Sequence, residues 1–130
     1  MASANALRVL VIDDDAVVLM ALANMIGLGG DHVTKAAGGR EGIEAFERSL
    51  GEGAPFDVVF TDLSMPEVDG REVARFVKRV HAQTCVIMLS GWGPGVAGAQ
   101  DLSTEVDHMM GKPPRLADFR AIMASLRRPA

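Results

Sequence analysis

Four places in this 130-residue chain set a reactive side chain directly after an apolar run. Asp13, Asp14 and Asp15 end the run VLVI, Asp62 follows VVFT, Ser90 follows VIML, and Lys112 follows the weaker run VDHMM and Gly111. Two carboxylates about 5 Å apart repel by roughly 3 kcal/mol at an effective dielectric near 20, so an acidic triplet asks for a positive partner. A compact set of carboxylates suits a hard divalent cation; Mg2+ takes one or two of them, keeps several waters and accepts phosphate oxygens. With Lys112 as a point charge and the Ser90 hydroxyl as a donor, the set has the parts needed to steady a transferring phosphoryl group. Asp62 is the natural nucleophile, since carboxylates form aspartyl phosphates.

For that chemistry the groups must meet, and the apolar pattern shows how. Strand-length runs lie at 7–12, 56–61 and 84–89, with weaker ones at 32–37 and 106–110. Helix-period segments fall between them at 16–27, 40–50 and 71–81, and a last one at 116–127 carries Phe119, Ile122, Met123 and Leu126. Near-continuous apolar strands imply burial on both faces, as in parallel sheets covered by crossover helices. The expectation is a doubly wound α/β domain, in which ligands sit beyond the carboxyl ends of the strands. Asp13, Asp14, Asp62, Ser90 and Lys112 all fall at that edge. Asp15 is expected as the N-cap of the first helix. GLGG at 27–30 is expected to end that helix, and the Gly- and Pro-rich stretch 91–100 to leave the fourth helix short or mobile.

Bulk composition narrows the classes. The length suits one domain, and 48% hydrophobic with 23% charged residues is globular. A net charge of -4 with interleaved signs offers no basic stripe for nucleic acid and no polybasic membrane patch. The longest apolar stretch, 16–28, is shorter than the ~20 residues of a spanning helix, and no secretory signal is evident. The single cysteine, Cys85, excludes an internal disulfide and suits a reducing cytoplasm; it is expected as core packing, as are the eight methionines. His32, His81 and His108 have no ligand spacing and are expected to be structural or solvated.

In VIDDD, VVFTDLSMPEVDG, VIMLSG and GKPP the sequence resembles a two-component response regulator receiver domain (CheY-like) from about Leu7 to Leu126. The resemblance implies a flavodoxin-like five-stranded parallel sheet of order 2-1-3-4-5 with helices on both faces, residues 7–127 forming the domain. Residues 1–6 and 128–130 would be tails, with no output domain. It implies that Asp62 accepts a phosphoryl group from a sensor histidine kinase or a histidine phosphotransfer protein. Asp14, Asp62 and the Ser64 carbonyl would ligate Mg2+, with Asp13 acting through water. Lys112 would pair with Asp62 and then with the phosphoryl group, and the Ser90 hydroxyl would move to meet it. The bond from Lys112 to Pro113 would be cis, aiming the lysine. A downstream output protein would read the switch, whether the domain stands alone or belongs to a hybrid kinase.

Two positions depart from or elaborate that pattern. Met109 stands where such domains often carry Tyr or Phe, which moves the expected readout toward 91–100, and Trp92 is placed to shield the phosphoryl group or to dock a partner. Two rival readings remain. One is a receiver-like interaction module that is never phosphorylated. The other is a haloacid-dehalogenase-type phosphatase, because DDDAV fits Asp-x-Asp-x-Thr/Val with Asp13 as nucleophile and Asp15 as acid, although that reading leaves Asp62 without a role.

Overall fold

A computed structural model describes residues 6–91, 105–112 and 114–127. The chain runs β1 (Arg8–Ile12), α1 (Ala16–Leu28), β2 (His32–Ala36), α2 (Gly39–Gly51), β3 (Val58–Asp62), α3 (Gly70–Val80), β4 (Cys85–Ser90), β5 (His108–Gly111) and α4 (Leu116–Arg127). The strands form one parallel sheet in the order β2-β1-β3-β4-β5.

Period-2 alternation sorts each central strand between two core layers. Leu10, Ile12, Val59, Val86 and Met88 face α2 and α3, packing on Phe46, Val73 and Val77. Val9, Val11, Phe60, Ile87 and Leu89 face α1 and α4, packing on Leu22, Ile26, Phe119 and Met123. Both faces being covered explains why β1, β3 and β4 are almost wholly buried. At the outer edge β2 buries only Ala36 fully and exposes Lys35, a charge that discourages further strand pairing.

Local sequence explains the helix starts. Asp15 caps α1, its Oδ1 accepting from the Val17 and Val18 amides at 2.9 and 3.4 Å. Asp69 caps α3 through Glu72 N–H at 3.0 Å. At Gly42 an added Cβ would overlap Ile12, so the missing side chain lets α2 lie close on the sheet.

Several expectations are adjusted. Strand β5 starts two residues later than the apolar pattern suggested and ends at Gly111, and β3 and β4 reach one residue further, so that Asp62 and Ser90 are their last residues. Helix α1 does end within GLGG, at Leu28 with Gly29 as its C-cap, and passes through Gly27 because an internal glycine lowers helix stability without forbidding it. Cys85 is only half-buried, at the margin of the α1/α4 layer, and its thiol is pushed up to about 11 by burial and by Asp107, against the opposing pull of Lys78. Met20 is 57% exposed rather than core. His32 and His108 are exposed, while the His81 ring lies 2.8 Å from the Thr84 hydroxyl. Trp92, Pro113 and the stretch 92–100 lie outside the described residues.

Candidate functional site

Register brings the acids together. In β1 and β3, Ile12 pairs with Thr61, which sets Asp13 beside Asp62; in β4 and β5, Ser90 pairs with Gly111, one residue before Lys112. Asp14, Asp15, Asp62, Leu63, Ser64, Ser90, Gly91 and Lys112 line an open crevice of about 500 Å³ at the carboxyl edge of the sheet. Of the residues singled out in the sequence, Asp13, Asp14, Asp62, Ser64, Ser90 and Lys112 thus gather at one place. Met109 does not join the crevice; it is half-buried against the α2/α3 core layer.

The side chains are held from several directions. Asp13 is fully buried, and its Oδ1 accepts from the Asp15 amide at 2.8 Å and from Lys112 Nζ at 3.2 Å. Its Oδ2 lies 3.1 Å from Lys112 Nζ but has no hydrogen-bond partner among the described residues. Asp62 is 5% exposed, with Oδ2 3.0 Å from the same ammonium. Ser90 is also buried. One lysine therefore faces two buried carboxylates, and Asp14 adds a third, exposed one.

Carboxylate oxygens of Asp13, Asp14 and Asp62 lie within 4.8 Å of one another. Three oxygen donors for one ammonium, one of them a buried oxygen without a hydrogen bond, fit a hard divalent cation. Asp15 lines the crevice too, yet its carboxylate is already engaged by two α1 amides. This capping gives Asp15 the helix-starting role expected of it.

Burial is the main cause that raises the Asp62 carboxyl above its usual range; Asp13 and Asp14 raise it further, and Lys112 opposes them. Burial alone would lower Lys112, but hydrogen bonds to Asp62 and Asp13 outweigh it and hold the ammonium above its usual value. The linkage sign follows. A carboxyl whose folded pKa is raised favours folding below its unfolded pKa, and that contribution is lost as pH rises through the folded value. In chelator-treated protein, Asp62→Asn is therefore expected to stabilise the fold at pH 7 by of order 1 kcal/mol, with the gain vanishing toward pH ~4. Urea unfolding at both pH values checks this; a variant less stable than wild type at pH 7 counts against it.

Comparison with known proteins decides the family. The profile of the response regulator receiver domain matches residues 9–124. The chain belongs to that family. Two relatives of this receiver domain are the cell cycle response regulators CtrA of Brucella ovis and Brucella anthropi, each 31% identical over 111 residues. That alignment covers 82% of this chain and 44% of each relative, so the chain spans under half the length of the relatives it matches. A receiver domain protein from Clostridium thermocellum superposes with a TM-score of 0.80 at 24% identity, over 93% of this chain and 94% of that one. A CheY-like receiver from Methanospirillum hungatei gives 0.78 at 23% identity, over 93% and 94%. At these identities the structural likeness speaks for the fold, which is the flavodoxin-like order β2-β1-β3-β4-β5. The chain is thus a receiver domain of the two-component signalling type.

Two residues that matter to the site escaped the sequence reading. Gly70 has no reactive group to draw notice, but an added Cβ there would collide with the Asp62 carbonyl oxygen and approach Met88 Sδ to 2.8 Å. Glu67 has φ 65°, the only positive φ at a non-glycine among the described residues. Pro66, Asp69 and Gly70 are turn-forming residue types, but nothing in their order says that Glu67 bears the strain.

Proposed function

We propose that this receiver domain is a phosphoacceptor, with Asp62 taking a phosphoryl group from a phosphohistidine of a sensor histidine kinase or histidine phosphotransfer protein. The observation that carries the reading is the placement of Asp62 Oδ2 3.0 Å from Lys112 Nζ within a cluster of three carboxylates. A carboxylate oxygen of Asp62 forms the bond to phosphorus as the donor's phosphorus–nitrogen bond breaks. The electron pair returns to the imidazole nitrogen, which takes a proton from solvent. Lys112, already held over Asp62 and Asp13, faces the charge that develops on the phosphoryl oxygens. Ser90, at the end of the neighbouring strand, supplies a hydroxyl to another oxygen, and its movement is the start of the switch that a downstream output protein reads.

Asp14, Asp62 and the Ser64 carbonyl would hold Mg2+, with Asp13 acting through water. When bound, the cation supplies charge neutralisation between the carboxylates and the phosphoryl oxygens. Among the modulating positions, Met109 is assigned the place an aromatic switch residue takes, and Trp92 either shielding of the phosphoryl group or docking of a partner. A reducing, cytoplasmic setting agrees with the single Cys85, and no helix among the described residues is long and apolar enough to cross a membrane.

Intact-protein mass spectrometry after incubation with phosphoramidate tests the reading. Wild type is expected to gain one hydroxylamine-labile phosphoryl group only with Mg2+, and Asp62→Asn none. No adduct under any condition would favour the unphosphorylated interaction module. An adduct that survives Asp62→Asn and disappears in Asp13→Asn would restore the phosphatase.

A further inference from the structure

The loop that follows Asp62 is closed at its base and strained at its tip. Leu63 N–H donates to Leu89 O at 2.9 Å and Gly70 N–H to Leu63 O at 2.9 Å, while Met65 is buried in the α2/α3 core layer. At the tip, Val68 N–H donates to Pro66 O at 2.8 Å across Glu67. An i to i+2 hydrogen bond around a residue at φ 65° is the rare, strained form of γ-turn. Glycine would occupy that backbone without strain, yet the residue is glutamate.

The Glu67 side chain does not explain its presence. It is 72% exposed, and its one ion-pair contact among the described residues, with Arg40, is a long 4.0 Å. The turn is held through the backbone instead. Gly39, at the start of α2, lies so close to Val68 that a Cβ there would overlap the Val68 carbonyl oxygen and its side chain. Gly70 makes the matching close approach to the Asp62 carbonyl. The turn is therefore gripped between α2 on one side and the phosphoacceptor on the other, and the segment between them carries Ser64, which lines the crevice.

We infer that Glu67 is a positioning residue: its left-handed turn, pressed by α2, limits the loop to one conformation and so keeps Ser64 and Asp62 arranged for the cation. The inference rests on the phosphoacceptor reading above. An L-residue locked at positive φ has few conformations to trade with, whereas glycine at the same place restores backbone freedom that must be lost again when the cation orders the loop. The two effects of Glu67→Gly then have opposite signs. Release of strain leaves the unfolding midpoint equal or higher, and the freer loop weakens Mg2+ binding. A residue with a merely structural role would move both in the same direction.

The test is Mg2+ titration of chelator-treated protein followed by 1H–15N NMR, beside urea unfolding of the same samples, for wild type, Glu67→Gly, Glu67→Gln and Asp62→Asn. Glu67→Gln removes the charge and keeps the turn; its Mg2+ affinity is expected within about twofold of wild type. Glu67→Gly is expected to bind Mg2+ at least about threefold more weakly without loss of unfolding midpoint. Equal affinities of Glu67→Gly and wild type overturn the inference, as does a parallel fall in affinity and stability, or a loss in Glu67→Gln as large as in Glu67→Gly. If wild type binds no Mg2+, or Asp62→Asn binds it equally well, the phosphoacceptor reading fails and takes the inference with it.

Discussion

Lys112→Met is expected to destabilise the metal-free protein by about 3 kcal/mol at pH 7, the largest effect of any single substitution at the site. Among the described residues the lysine is the one cation within 3.2 Å of Asp13 and Asp62, and both carboxylates are buried. Methionine fills a similar volume but leaves two buried charges facing each other, with the Asp13 Oδ2 oxygen losing its ion-pair contact. Protonation relieves the repulsion, so the loss is expected to shrink as pH falls toward the carboxyl range. A divalent cation relieves it too, so added Mg2+ restores part of the stability. Phosphoryl acceptance falls by about two to three orders of magnitude, the usual cost of removing a group aimed at developing charge. Urea unfolding at pH 7 and pH 5, with and without Mg2+, reads the stability terms. A loss that ignores both pH and Mg2+ would mean that packing, not charge, is what Lys112 supplies.

Gly70→Ala is expected to cost about 1–3 kcal/mol although it adds a single methyl group. The added Cβ would overlap the Asp62 carbonyl oxygen and lie 2.9 Å from Leu63 Cα, both backbone atoms of the segment that holds Asp62 in the crevice. Met88 Sδ, at 2.8 Å, can yield; the backbone cannot without moving Asp62. Slower phosphoryl incorporation is therefore expected together with lower stability. Gly27→Ala provides the contrast, since nothing lies within 4 Å of a Cβ there and alanine favours the helix. Thermal unfolding and phosphoramidate incorporation of the two variants check this, and a Gly70→Ala protein of wild-type stability and rate would show that the loop has slack.

Much of this protein was legible in the order of its residues because its signals are local or periodic. Runs such as VLVI, VVFT and VIML mark strands buried on both faces, and the acids, hydroxyl and lysine behind them need only the rule that parallel strands end at one edge. Asp15 could be assigned as a cap for the same reason: capping joins a side chain to amides two and three residues on. Element ends were less legible, since β5 and the last residues of β3 and β4 depend on which neighbours complete the ladder.

What only the tertiary structure decided are relations between residues distant in sequence. The sharing of Lys112 between Asp13 and Asp62 arises from the register of β1 against β3 and the return of β5 along β4. Half-burial of Cys85 and exposure of Met20 depend on which elements pack over them, so residue type alone misplaced both. The strain at Glu67 and the contacts of Gly39 and Gly70 are set by how closely α2 and α3 approach the loop that follows Asp62. Composition and periodicity determine which face a residue belongs to. Distances of a few ångströms between backbones are decided by packing, because they depend on all the side chains between them at once.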